Sequence, residues 1–155
     1  MMTKPDFVYT TYINATPQKV WDAITNPEFT RQYWGHDMVS DWKQGADWQL
    51  IDNANDAVKV VGRVIESNPP KKLVLSWAEP SDKADNSQVT FEIEAVDDMV
   101  RLNVIHDGFK MDSKLPGRIS KGWPLVLSGL KSLLETGNPI SLKGLGCDKQ
   151  VSATA

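Results

Sequence analysis

The sequence predicts an α+β domain, and three observations carry that prediction. Most of its middle alternates apolar and polar residues with period two, in segments separated by short stretches of Pro, Gly, Asn and Asp. Two helix-start signals stand just after the first such segment, and one long apolar stripe at helical spacing closes the periodic part of the chain. Strands grouped apart from helices define α+β. Connections this short require antiparallel neighbours, because a parallel pair needs a long crossover.

Residues 7–14 (FVYTTYIN) are β-branched and aromatic and read as the first strand. Thr16-Pro17 supplies a capping hydroxyl followed by proline at the first helical position. Val20, Trp21 and Ile24 follow at helical spacing, which predicts an amphipathic helix over 17–25. Asn26-Pro27 stops it and opens a second short helix through Tyr33, ended by Trp34-Gly35. Strands are expected at 46–52, 57–67, 72–78, 87–96 and 99–107, with a weaker one at 37–42. Val58, Val60, Gly62 and Val64 share one face of theirs, as do Val89, Phe91, Ile93 and Ala95. Turns are expected at Asn53–Asp56, Asn68–Pro70, Pro80–Asn86 and Asp97-Asp98.

Near the C-terminal end, Ile119, Trp123, Val126, Leu127, Leu130, Leu133 and Leu134 make one apolar stripe over about four to five turns. Pro124 inside it predicts a kink, or a helix that starts properly at Trp123. Gly137 reads as the C-cap, and Pro139 prevents continuation. Residues 138–155 show no period and are expected to form a loosely held tail after a single domain at 1–137.

Composition narrows the function classes. A net charge of −3 and a pI near 5.3 argue against a nucleic-acid binder, whose interacting face is basic. No window approaches the ~18 apolar residues of a membrane span, and MMTKPDFVYTTY lacks the apolar core of a signal peptide. A cytoplasmic protein is therefore expected. The single cysteine, Cys147, can make neither an internal disulfide nor a cysteine-based zinc site, and it reads as incidental. No nucleophile elbow, phosphate loop or dinucleotide fingerprint is present, so neither a cofactor nor a metal is expected. Only 8% of the residues are aromatic, yet six of them are tryptophan against three tyrosines and four phenylalanines, and that bias needs an explanation.

Three stretches resemble a known superfamily. INATPQKVWDAITNPEFTRQYWG at 13–35 looks like the opening strand, helix pair and terminal Trp-Gly of the SRPBCC superfamily, also called START-like or helix-grip proteins. GADWQL at 45–50 with VVGRVIESNPPKKLVLSW at 60–77 looks like its central meander and Pro-Pro turn. GWPLVLSGLKSLLETG at 122–137 is similar to its C-terminal helix. The branch resembled is the single-domain one similar to the C-terminal domain of the activator of heat-shock protein 90 ATPase. The resemblance implies a helix-grip fold: a curved antiparallel sheet of about six or seven strands wrapped around a long C-terminal helix. It also implies a cavity between the two that holds apolar molecules. Fold alone leaves function open.

Against that frame, Trp34, Trp48, Trp77 and Trp123 either fill the space under the helix or line a ligand pocket. Phe91 on the apolar face of its strand and Leu127 on the helix stripe join them as candidate ligand contacts, and His36 does so because the Trp-Gly segment lies near the cavity mouth. Trp21 reads as core and Trp42 as a rim residue. His36-Asp37 and His106-Asp107 are candidates for acid–base work with Glu66, but neighbours on a strand point to opposite faces, so each pair is expected to diverge. FKMDSKLP at 109–116 reads either as an ordinary connection or as a gate. No catalytic residue is assigned. The expected function is binding of a small hydrophobic or aromatic ligand. The alternatives are a regulator that contacts a heat-shock protein 90 chaperone, and an enzyme of the polyketide cyclase or dehydratase kind. A homodimer is compatible with each of them.

Overall fold

The computed structural model describes residues 7–140. The elements in chain order are β1 (Phe7–Ile13), α1 (Pro17–Thr25), α2 (Pro27–Trp34), β2 (His36–Val39), β3 (Asp47–Asp52), β4 (Val58–Asn68), β5 (Lys72–Glu79), β6 (Asp82–Val96), β7 (Met99–Asp107) and α3 (Leu115–Thr136). The strands form one seven-stranded antiparallel sheet in the order β1-β7-β6-β5-β4-β3-β2. β1 and β2 are the two edges, so the α1–α2 pair between them in sequence carries the chain across the open side of the sheet. The curled sheet grips α3, which is the helix-grip α+β arrangement. No helix among the described residues is long and apolar enough to cross a membrane.

Local chemistry accounts for the helix pair. Thr16 Oγ1 accepts from Lys19 N–H at 3.3 Å, and Asn26 Oδ1 accepts from Glu28 N–H at 3.0 Å. Each cap satisfies a donor that the first helical turn leaves orphaned, ahead of a proline that has none to offer. Asn26 serves twice, because its backbone N–H also bonds Asp22 C=O at the end of α1. The inward residues of the sheet, such as Leu50, Leu75, Phe91 and Leu102, are buried against the apolar stripe of α3.

Two boundaries differ from expectation. The expected break at Pro80–Asn86 is only the tight turn at Pro80-Ser81: Glu79 already pairs with Asp82, and β6 runs on from there. The polar residues that read as a loop are extended because the segment before α3 uses them. Asp85 accepts from Lys110 N–H at 2.9 Å, and Asp82 pairs with Lys110 Nζ at 2.6 Å. The long helix does not start at Trp123. It begins at Leu115, with Pro116 in the first turn, and passes through Pro124. Leu115, Ile119, Trp123, Val126 and Leu127 are all buried along it. Burial at about 1.5–3 kcal/mol each outweighs the ~3 kcal/mol that an interior proline costs.

Smaller departures concern the strand faces and ends. Val58 is exposed, as is Ala95, since both lie near the ends of strands whose central residues face the helix. The weak strand expected at 37–42 is four residues, His36–Val39. Trp42 follows in a left-handed conformation (φ 59°) and donates its indole N–H to Thr25 C=O at 2.9 Å. It is half-buried and pins its loop to the end of α1. The expected tail is described only at its start, where Asn138 C=O accepts from Ser132 Oγ at 2.7 Å. Its remainder, Cys147 included, lies outside the described residues.

Candidate functional site

Four tryptophans from four elements meet between sheet and helix. Trp34 is the last residue of α2, Trp48 lies on β3, Trp77 on β5 and Trp123 on α3. Ring centroids are 5.3 Å apart for Trp48–Trp77, 5.7 Å for Trp77–Trp123, 5.5 Å for Trp34–Trp123 and 6.5 Å for Trp34–Trp77. Phe91 meets Trp123 edge-on at 5.9 Å. These are the offset and tilted contacts that ring quadrupoles favour, each worth about 0.5–1.5 kcal/mol beyond area burial. Leu127 is buried one turn beyond Trp123. The residues expected around a ligand are thus brought together, and in this structure their rings contact one another. Trp21 is buried in the core, as read from its helix.

Each indole N–H poses a question, since a buried donor without an acceptor costs about 1–3 kcal/mol. Trp48 answers it by crossing β4. It stands opposite Gly62 in the β3–β4 register and donates over that residue to Ser76 C=O on β5, at 2.8 Å. A Cβ on Gly62 would lie 1.9 Å from Ser76 O and 2.5 Å from Trp48 Nε1, so the crossing requires glycine. Ser76 Oγ in turn accepts from Arg63 N–H at 2.8 Å, satisfying the backbone donor beside the crossing.

Trp123 donates to Nδ1 of His106 at 3.1 Å. An indole only donates, so His106 Nδ1 is bare and its proton sits on Nε2. Nε2 donates to Ser87 Oγ at 2.8 Å, and Ser87 donates in turn to Trp77 C=O at 3.2 Å. The relay runs from helix to sheet and ends on backbone, leaving neither nitrogen of His106 free for a ligand or a proton transfer. Phe109 covers the ring at a centroid distance of 4.6 Å. Burial lowers the His106 pKa to about 3, so the ring is neutral at ordinary pH.

The fourth indole and the other histidine differ. Gly35 (φ 74°) ends α2 in a left-handed turn, and His36 opens β2 immediately after it. His36 Nδ1 lies 3.0 Å from Trp34 C=O. The carbonyl can only accept, so Nδ1 carries the proton and Nε2 is a bare acceptor. Among the described residues Trp34 Nε1 and His36 Nε2 are buried without a protein partner. The two rings are 6.1 Å apart. Burial, the dominant effect, lowers the His36 pKa and favours the neutral ring, against a pull from Asp52 and Asp37.

The other acid–base candidates point away, as strand alternation requires. Asp37 faces outward into a two-bonded clamp with Arg31 (3.0 and 3.2 Å), and the hydrogen bonds from Arg31 hold its carboxyl below the usual range. Glu66 is paired with Lys72 on the surface at 3.8 Å. No three His, Cys, Asp or Glu side chains converge among the described residues. Two surface pockets of about 390 Å³ lie apart from the Trp34–Trp123 contact: one over β3, β4 and the β5–β6 hairpin, one between α1, α2 and the end of α3. Sequence reasoning assigned His106 no ligand role and did not single out Ser87. The signal for His106 was present, because Val100, Leu102, Val104 and His106 share one face of β7.

The family model described as Activator of Hsp90 ATPase homolog 1-like protein matches residues 14–135. Solved structures similar to the chain include CalU16 from Micromonospora echinospora, with 19% identity over 94% of this chain and 83% of that one (TM-score 0.71). The Aha1 dimer from Colwellia psychrerythraea has 19% identity over 84% of this chain and 96% of that one (TM-score 0.71). PFC0360w, an HSP90 activator from Plasmodium falciparum, has 22% identity over 76% of this chain and 86% of that one (TM-score 0.63). At such identities the likeness establishes the fold. No curated protein matches the sequence.

Proposed function

The chain belongs to the Activator of Hsp90 ATPase homolog 1-like family, and from that premise we propose that it is a binding protein for a small apolar or aromatic molecule held between the curved sheet and α3. The observation that carries this reading is the meeting of Trp34, Trp48, Trp77 and Trp123 at one place under the helix. Such rings offer broad apolar faces with a few oriented polar edges, the usual make-up of a small-molecule site. No catalytic step is part of the reading. His106, which meets Trp123, is tied into a relay, and the carboxylates of Asp37 and Glu66 are paired with Arg31 and Lys72 instead.

The test is a titration of the full chain with apolar ring compounds, naphthalene among them, followed by calorimetry and tryptophan emission. Saturable one-to-one binding that quenches emission is expected. No saturation by any compound overturns the reading. The family's description and the likeness to the Plasmodium falciparum activator support a second reading, contact with an Hsp90 chaperone. Stimulation of a purified Hsp90 ATPase by this chain, without any ligand present, would favour it instead.

A further inference from the structure

We propose that Trp34 Nε1 and His36 Nε2 form a hydroxyl-recognition subsite, so that the ligand carries an alcohol or phenol O–H that accepts from Trp34 and donates to His36. This rests on the reading that an apolar molecule binds beside the tryptophans.

The pair stands out because the other polar edges of the cluster are matched within the protein. Trp48 has Ser76 C=O, Trp123 has His106, His106 has Ser87, and Ser87 has Trp77 C=O. Tyr33, stacked on Trp34 at 6.4 Å, donates to Ala23 C=O at 2.7 Å. Trp34 is 5% exposed and His36 wholly buried, yet one donor and one acceptor remain. Leaving both bare costs about 1–3 kcal/mol apiece, which a fold does not accumulate by chance on adjacent rings.

Geometry and tautomer define the complement. Both residues issue from the single Gly35 turn, with ring centroids 6.1 Å apart. The two unpartnered atoms therefore belong to neighbouring rings, one a donor and one an acceptor. Because Nδ1 is spent on Trp34 C=O, Nε2 presents a lone pair and rejects another acceptor. A carbonyl or ether oxygen would therefore satisfy Trp34 and leave His36 bare, and a carboxylate would meet that lone pair with negative charge. An oxygen bearing one hydrogen satisfies both. The apolar body of the same molecule would lie against Trp34 and its neighbours Trp77 and Trp123.

The experiment compares 2-naphthol, 2-methoxynaphthalene and naphthalene by calorimetry on the full chain. 2-Naphthol is expected to bind at least tenfold more tightly than either of the others. In Trp34→Phe and in His36→Phe the preference for 2-naphthol over naphthalene, measured as a ratio within each variant, should shrink to less than threefold. Equal affinities of all three compounds for the wild-type chain overturn the subsite and leave the apolar-binding reading standing; that is also the result if only water occupies the corner. Absence of binding by all three overturns both. Should a variant not fold, the three-compound comparison on the wild-type chain still decides.

Discussion

The indole of Trp123 on α3 donates to Nδ1 of His106 on β7 at 3.1 Å, and this bond ties the long helix to the sheet. Through His106 the same bond reaches Ser87 and the carbonyl of Trp77, so α3, β7, β6 and β5 share one buried chain of donors. Trp123→Phe keeps a ring but strands the acceptor on His106. The variant is expected to lose about 1–3 kcal/mol of stability, read from the urea midpoint at unchanged slope. A loss below about 0.5 kcal/mol would mean that the relay does not hold the helix.

The relay also sets a pH dependence. In the unfolded chain His106 titrates near 6.5, whereas burial lowers it to about 3 in the folded one. Below pH 6.5 the unfolded state therefore takes up a proton that the folded state refuses, so stability falls with falling pH, by about 1.4 kcal/mol per unit, until about pH 3. Between pH 7.5 and 5.0 His106 alone should remove about 2 kcal/mol. The paired carboxylates Asp37, Asp82 and Glu135 are lowered by their partners, so their stabilisation is lost only below their unfolded values of about 4, beneath this window. His36, also lowered by burial, adds a loss of the same sign. Urea denaturation at the two pH values should show the loss, and His106→Gln should show about 2 kcal/mol less of it. An identical slope in the variant would contradict the assignment.

What was legible in the sequence was what one element decides alone. Thr16-Pro17 and Asn26-Pro27 announce α1 and α2 because capping is local, and alternation in β7 runs from Met99 to Asp107 as read. The bounds of β6 and α3 were not legible. Asp82 and Asp85 are extended because Lys110 and Ser113 come to meet them from distant sequence, and the stretch before Trp123 is helical because Leu115 and Ile119 find the core. At the site, the tryptophans could be listed but not sorted. Whether an indole N–H is matched depends on Ser76, His106 or nothing standing opposite, which only the fold decides.

Gly62 tests that dependence. Its alanine variant would push a methyl into Ser76 O, 1.9 Å away, and into the Trp48 indole nitrogen at 2.5 Å. The first contact is backbone in a central strand and cannot swing aside. Gly62→Ala should cost more than about 3 kcal/mol, with a change in near-ultraviolet dichroism as Trp48 leaves its acceptor. Wild-type stability with unchanged dichroism would show that the crossing is not needed.

Asp85 controls how α3 begins. It is buried, and its carboxylate accepts from Lys110 N–H at 2.9 Å and from the Ser113 hydroxyl, whose oxygen accepts from Leu115 N–H at 3.0 Å. That chain orients the cap of α3 from β6, while Met111 at the loop tip is fully exposed. Bonds to a buried charge are worth about 1.5–3 kcal/mol in all, so Asp85→Ala should lose that much and fray the first turn of α3. Trypsin should then cut after Lys114 several times faster than in the wild type. Asp82→Ala is the control: it removes only the half-exposed, solvent-screened pair with Lys110 and should leave cleavage at Lys114 unchanged. Equal cleavage in the wild type and both variants would mean that the start of α3 is held by its own packing through Leu115 and Ile119 rather than by Asp85.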